Sequence, residues 1–356
     1  MAKTSSKIEN IFARYSESGL FTHCYSARGS IDDEIPYFEY EHLPDGRSVF
    51  DLASLTKALV TTPLVFQVLG DKKWPMSSVV GDWLSGLNHS LDSRFLSVKI
   101  ADLLAHKSGL PAWRNFWICK LGSVTGESLK LTSNRHQLMT EVLNRNVKDI
   151  GVVGKDVYSD VGFILLGYLI EVLGGQDQAS VFREFAQNKL SSGDIELYYE
   201  RDIPEPNKVV PTSWCALRGK ELIGEVHDEN CAALGGIAGH AGIFGSGRAI
   251  AKYLHRLLAS QVGQSLLAEN LKQRVLPVSQ TPNGSLLGWR QGADQSALPF
   301  GQGAAIGHMG FTGVAFWLWP EKREYVMLLT NRVRSGRQSP GIAAMRREIF
   351  AELAAL

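Results

Sequence analysis

The sequence predicts an α/β protein of the α+β type: an antiparallel sheet flanked by helices from both chain ends, joined to a mainly helical lobe. Three observations predict it. Strand-like segments cluster early and late, helix-like segments fill the middle, and both termini carry amphipathic patterns. Strands so far apart in sequence can share one antiparallel sheet, with the terminal helices covering a face. The expected division assigns residues 1–50 and 240–356 to the sheet lobe and residues 51–239 to the helical lobe.

Taken in order, Ile8, Ile11, Phe12 and Tyr15 recur at helical spacing, so an amphipathic helix opens the chain. Residues 21–28 and 35–41 are rich in aromatic and β-branched side chains and read as short strands. A turn, Leu43-Pro44-Asp45-Gly46, follows the second. From Ser54 to Gly70, Leu55, Leu59, Leu64 and Val68 fall on or near one helical face. The clearer helices beyond it are residues 100–105, 135–142, 158–173 and 179–188, with Gly174-Gly175 ending the third. Residues 248–258 form another amphipathic helix. Residues 315–319 and 324–330 read as strands joined by Pro320-Glu321-Lys322, and residues 341–356 return to helix. There is no internal repeat and no low-complexity tract.

Composition narrows the function classes. Of 356 residues 44% are hydrophobic and 21% charged, so a large core can form and nothing suggests extended disorder. A formal charge of +1 gives no electrostatic case for nucleic-acid binding. The longest apolar stretches, residues 58–69 and 163–170, are too short to span a bilayer. The basic start lacks the apolar stretch of a secretion signal, so the expected location is cytoplasmic; a periplasmic chain already trimmed would read the same. Cys24, Cys119, Cys215 and Cys231 form no CxxC pair. That argues against a disulfide scaffold and a zinc site, and favours a reducing compartment.

The candidate chemistry starts in Phe50-Asp51-Leu52-Ala53-Ser54-Leu55-Thr56-Lys57. Residues three apart share a helix face, so Ser54 and Lys57 can share a hydrogen bond. A serine hydroxyl is a poor nucleophile until something takes its proton. Lys57 can do so only when neutral, a state that burial or a nearby cation encourages. At a helix start, the Ser54 N–H also lies unpaired beside the reacting centre. The plainer reading is an N-cap serine, and Ser-x-x-Lys arises by chance about once in a chain of this length.

Four further segments change that balance. They are Leu103-Leu104-Ala105-His106-Lys107-Ser108-Gly109-Leu110-Pro111, Tyr158-Ser159-Asp160, the glycine-rich residues 235–244, and Gly307-His308-Met309-Gly310-Phe311-Thr312-Gly313. Together with the serine segment, they resemble the class C β-lactamase, DD-peptidase and esterase branch of the serine β-lactamase and penicillin-binding-protein superfamily. The resemblance covers roughly residues 35–350 and keeps the family's motif order. It implies a β-lactamase/transpeptidase-like fold, Ser54 as nucleophile with Lys57 and Tyr158 as catalytic partners, and no metal or organic cofactor. It implies substrate-binding roles for Asp160, His308, Gly310 and Phe311, with the N–H groups of Ser54 and Phe311 forming the oxyanion hole.

Each segment also has a reading of its own. A phenol such as Tyr158 can shuttle a proton, or simply anchor a helix start. His308 can donate to a substrate carboxylate or assist proton transfer, or be a satisfied structural histidine. Gly310 and Gly313 can clear a strand edge for substrate. His106 and Ser108 read as loop structure, and His227-Asp228-Glu229-Asn230 as a loop network lining the cleft rather than a metal site.

Two departures from the family pattern matter. Asp160 stands where the family has Asn; a carboxylate only accepts hydrogen bonds, so it can pair with Lys57, hold it charged, and shift the base role to Tyr158. His308 stands where many members have a carboxylate-gripping lysine. Both changes favour an ester, an amide or a D-amino-acid peptide over potent β-lactam hydrolysis. The function expected is therefore a serine hydrolase working through an acyl-enzyme on a small-molecule or peptide substrate. The alternatives are a D-alanyl-D-alanine carboxypeptidase or other cell-wall peptide hydrolase, and a catalytically quiet penicillin-recognising protein. No Gly-x-Ser-x-Gly and no Walker A loop supports another enzyme class. Substrate choice lies in loops 111–155 and 190–230, where Trp113, Phe116, Trp117 and Trp214, with Trp289, are either cleft lining or core. The oligomeric state stays open.

Overall fold

A computed structural model of the chain describes residues 2–115, 135–146, 148, 150–190, 195–274, 284–292 and 305–356. Helix α1 (Ala2–Glu17) precedes strands β1 (Cys24–Ser30), β2 (Phe38–His42) and β3 (Phe50–Asp51). A π-wound turn, Lys57–Thr61, then runs directly into α2 (Thr62–Lys72). Helices α3 (Val80–Leu84), α4 (Ile100–Leu104), α5 (Arg135–Asn146), α6 (Asp160–Gly174) and α7 (Gln178–Lys189) follow. Next come β4 (Leu197–Tyr199), β5 (Trp214–Cys215), β6 (Lys220–Glu221), α8 (Glu229–Ala233), β7 (Ile243–Gly245), α9 (Gly247–Ala259) and α10 (Gln261–Gln273). The chain closes with β8 (Arg290–Gln291), β9 (Ile306–Gly310), β10 (Val314–Trp319), β11 (Glu324–Thr330) and α11 (Ile342–Ala354).

The early and late strands meet in one antiparallel sheet of order β2-β1-β11-β10-β9-β8. The period of two splits β10 and β11 between two cores. Trp317, Trp319, Val326 and Leu328 face the terminal helices, where Ile8 and Phe12 of α1 meet Ile349 and Phe350 of α11. Phe316, Leu318, Met327 and Leu329 face the other way, into a core that includes Tyr253 and Leu254 of α9, Leu64 of α2 and Phe163 of α6. Burial on both faces explains why β10 and β11 read as apolar runs without alternation. Each large side chain so buried contributes roughly 1.5–3 kcal/mol.

Some boundaries moved for identifiable reasons. Strand β1 starts at Cys24 because the N–H groups of Thr22 and His23 both donate to Asn331 Oδ1, at 3.0 and 3.1 Å. Strand β2 starts after Pro36, which has no N–H to give a ladder. Helix α6 starts at Asp160 rather than residue 158 because Ser159 caps it, accepting the Gly162 N–H at 3.0 Å. It ends, as expected, at glycines, with Gly175 left-handed at φ 66°. A second sheet, β3-β7-β4, draws strands from both sides of the expected lobe boundaries. No helix among the described residues is long and apolar enough to cross a membrane.

Candidate active site

Ser54 sits on a constrained turn between β3 and the π-wound helix start. Ala53, just before it, has φ 46°, a left-handed conformation costing a non-glycine residue about 1–2 kcal/mol. Asp51 holds that turn: its Oδ1 accepts the Ala53 N–H at 2.8 Å, while Oδ2 accepts the His227 N–H at 2.7 Å. The first helical bonds are Leu55 N–H to Leu52 O at 2.9 Å and Lys57 N–H to Ser54 O at 3.1 Å. The Ser54 N–H itself finds no acceptor among the described residues.

Strand β9 ends against this turn. A side chain at Gly310 would place its Cβ 2.8 Å from Leu52 O and 3.3 Å from Ala53 Cβ. Only glycine allows that approach, which sets Phe311, the next residue, beside the nucleophile turn. The Phe311 N–H likewise has no acceptor among the described residues. Gly310 admits the nucleophile turn, and Gly313, at φ 100°, packs with a would-be Cβ 2.2 Å from Thr330 Oγ1.

Lys57 is fully buried, with its Nζ among three oxygens. It donates to Ser54 Oγ at 3.0 Å and to His240 O at 3.1 Å. Asp160 Oδ1 lies 2.7 Å away, as an ion pair rather than an aligned hydrogen bond. Burial is the largest influence on Lys57 and favours the neutral amine. The negative charge of Asp160, followed by the neighbouring Tyr158 oxygen, outweighs it, so the lysine pKa stands above its ordinary value. An ammonium donates to Ser54 Oγ and His240 O and also neutralises the Asp160 carboxylate, whereas an amine would leave that charge unpaired. Lys57 is therefore a charged donor at rest, which is the outcome expected from Asp160 and not that of a free lysine base.

His240 reaches Lys57 because the glycine-rich segment lies flat on α6. A Cβ at Gly239 would fall 2.0 Å from Phe163 O, and Thr61 Oγ1 donates to Gly239 O at 2.6 Å. The His240 ring turns away to bond Asp228 Oδ1 at 2.8 Å.

Tyr158 occupies the last position before the α6 cap, half-buried among cations and rings. Lys57 Nζ is 4.9 Å and Arg290 Cζ 5.8 Å from its ring centroid. The His106 ring packs at 4.5 Å and the His308 ring at 6.0 Å. His106 is structural, as read: its Nδ1 accepts the Ser159 N–H at 2.9 Å and its carbonyl accepts the Val157 N–H at 2.9 Å.

His308 differs from expectation. Its ring is buried, and Nδ1 bonds the Met309 carbonyl at 2.8 Å. A carbonyl only accepts, so Nδ1 carries the proton and the buried Nε2, without a partner among the described residues, carries the lone pair. Burial, followed by the charges of Lys57 and Arg290, drives its pKa well below the ordinary value. In this arrangement the ring's one N–H is spent on the Met309 carbonyl rather than offered to the cleft. The ring faces Tyr158.

The 227–230 segment forms a network, as read. Asp228 caps α8 through the Cys231 N–H at 2.7 Å, Asn230 Nδ2 donates to Arg114 O at 2.8 Å, and Glu229 pairs with Arg337. No group of three or more His, Cys, Asp or Glu suited to a metal occurs among the described residues. Trp289 is core, its Nε1 donating to Ala58 O at 3.1 Å. Trp113 and Trp214 are exposed, while Phe116, Trp117 and Cys119 lie outside the described residues. Sequence reasoning missed Asp51, Arg290 and the His240 carbonyl, none of which carries a local signal of its role.

With this geometry in hand, the class is that of an active-site serine hydrolase. The Beta-lactamase family model matches residues 32–348, and the chain belongs to that family. It is 25% identical over 324 residues to N-acetylmuramyl-L-alanine amidase of Bacillus subtilis (strain 168), covering 80% of this chain and 68% of that one. Among solved structures, it resembles the D-amino acid amidase from Ochrobactrum anthropi SV3 complexed with L-phenylalanine amide, with TM-score 0.66, 16% identity and 99% of each chain covered. EstCE1, a hydrolase with promiscuous acyltransferase activity, matches with TM-score 0.66, 17% identity and 98% of each chain covered.

Proposed function

We propose that Ser54 is acylated by an ester, amide or D-amino-acid peptide, with Tyr158 as proton carrier and Lys57 as a fixed positive charge. Ser54 Oγ bonds to the substrate carbonyl carbon as its proton passes to Tyr158. The N–H groups of Ser54 and Phe311 stabilise the oxyanion. Collapse breaks the bond to the leaving group, which takes the proton from Tyr158. Water then attacks the acyl-enzyme, giving a proton to Tyr158 that returns to Ser54 Oγ as the product acid departs. Tyr158 accepts that proton in its phenolate form, whose negative charge is offset by Lys57 and Arg290.

The observation that carries this reading is the buried Lys57 Nζ, 3.0 Å from Ser54 Oγ and 2.7 Å from Asp160. The amidase names of the Bacillus and Ochrobactrum proteins support amide or peptide substrates. The free thiols Cys24, Cys215 and Cys231 support a reducing, cytoplasmic setting. The test is intact-protein mass spectrometry after a fluorophosphonate and, separately, a penicillin. A single adduct lost in Ser54→Ala is expected; an adduct that persists in the variant overturns the assignment. The reactive probe also ranks an esterase against a penicillin-recognising enzyme.

A further inference from the structure

The second residue of α2 is Pro63, which has no N–H. Two carbonyls of the nucleophile helix therefore lack a helical donor. Leu59 O, four residues back, would take a residue-63 N–H in an α-helix; Ala58 O, five back, would take it in a π-helix. Ala58 O loses its α-helical donor as well, because the Thr62 N–H goes to Lys57 O. A buried carbonyl left bare costs as much as a lost hydrogen bond, and here each finds a side chain. Trp289 Nε1 donates to Ala58 O at 3.1 Å, and the Tyr253 hydroxyl donates to Leu59 O. Both side chains are buried. Thr62 Oγ1 adds a second donor to Lys57 O at 2.7 Å.

Trp289 is tied to two parts of the site. It immediately precedes β8, whose first residue, Arg290, holds its Cζ 5.8 Å from the Tyr158 ring centroid. The residues before it are anchored on both sides. Ser285 Oγ donates at 2.9 Å to Asp156 Oδ1, two residues ahead of Tyr158, and the Gly288 N–H donates to Leu104 O at 3.0 Å. Gly288 is left-handed at φ 76°, and a Cβ there would fall 1.8 Å from Thr62 Oγ1, so this segment lies against the end of the π-wound turn. The Trp289 ring packs edge-on to Phe316 of β10, with centroids 5.6 Å apart. One indole thus bonds the turn that carries Lys57 and adjoins the strand that brings Arg290 to Tyr158.

We propose that Trp289 is a positioning residue for proton transfer: its indole N–H, held on Ala58 O, keeps Lys57 within reach of Ser54 and sets Arg290 against Tyr158. The proposal rests on the reading of Ser54 as nucleophile, Tyr158 as proton carrier and Lys57 as fixed charge. Loss of the N–H leaves a buried carbonyl without its donor, and the turn meets that need by rewinding. Rewinding moves Lys57 Nζ relative to Ser54 Oγ. The effect falls on kcat more than on KM, since it disturbs the reacting groups rather than the binding of substrate.

Trp289→Phe keeps an aromatic ring and removes the donor. With a 4-nitrophenyl ester, and active sites counted by fluorophosphonate titration, kcat should fall about tenfold while KM stays within about twofold. Where that variant yields too little folded protein, site-specific replacement of Trp289 by β-(benzothiophen-3-yl)alanine exchanges only the N–H for sulfur and should lower kcat alike. Pro63→Ala supplies a rescue, because either the new N–H in a π-wound turn or the Thr62 N–H in an α-wound one gives Ala58 O a backbone donor. The loss caused by Trp289→Phe should then shrink to about threefold or less in the Pro63→Ala background. An unchanged kcat per titrated site with only a lower Tm, a loss confined to KM, or the same loss in both backgrounds overturns the proposal and leaves Trp289 as core alone. Turnover surviving in Ser54→Ala overturns the nucleophile reading separately, whatever Trp289 does.

Discussion

Replacing Asp160 with Asn removes the charge that keeps buried Lys57 an ammonium. The pair is 2.7 Å apart, with the lysine side chain fully buried and Asp160 only 16% exposed. An opposite charge at this range shifts a pKa by about 1–3 units, or roughly 1.4–4 kcal/mol. In the native protein Lys57 has a raised pKa. Its contribution to stability is fully present below the unfolded lysine value of about 10.4, and is lost as pH climbs through the higher folded value. In Asp160→Asn, burial acts with far less opposition and the folded pKa drops below the unfolded one. The folded variant then binds fewer protons than the unfolded chain, so its stability rises with pH over roughly 8–10 while the native protein stays flat. Thermal unfolding measured across this range reads the difference, and the Lys57 ¹³Cε resonance reads the titration directly. A Lys57 resonance that titrates at the same pH in both proteins would refute the reasoning.

Other substitutions test other parts of the site. Ser54→Ala should abolish turnover while moving Tm by no more than about 2–4 °C, since only a partly buried hydroxyl is lost. Gly310→Ala forces a Cβ to 2.5 Å from Val314 Cγ2 and 2.8 Å from Leu52 O; kcat should fall about 10²-fold as the Phe311 N–H shifts, with about 1–3 kcal/mol lost in denaturant unfolding. Asp51 is raised by burial to about 6, and its carboxylate holds the Ala53 N–H. Native kcat/KM should therefore fall as pH drops through about 6, and Asp51→Asn should show a lower kcat without that limb.

The pattern of success follows from where information resides. Strands β10 and β11 were legible because burial on both faces demands unbroken apolar runs. The spacing of Ser54 and Lys57 was legible because a helix converts a sequence offset into contact. The pairing of Asp160 with Lys57 was readable as an option, because a carboxylate can only accept. The buried state of His308 was not, since it depends on Lys57, Tyr158 and Arg290 arriving from three separate segments. Asp51 was passed over because its two acceptors face N–H groups at Ala53 and at distant His227. The π-wound turn at Lys57–Thr61 gave no compositional sign; it shows only in the Thr62 N–H reaching Lys57 O. Strand β8 has two residues and β9 carries two glycines, so neither meets a propensity rule.

The central claim is that Ser54 carries the acyl group during turnover. Acid-quenching the native enzyme during hydrolysis of a 4-nitrophenyl ester, then mapping the digest by mass, tests it most directly. The account predicts one acyl increment on the peptide containing Ser54, absent in Ser54→Ala. An increment on a different residue, or undiminished turnover in the variant, would contradict it.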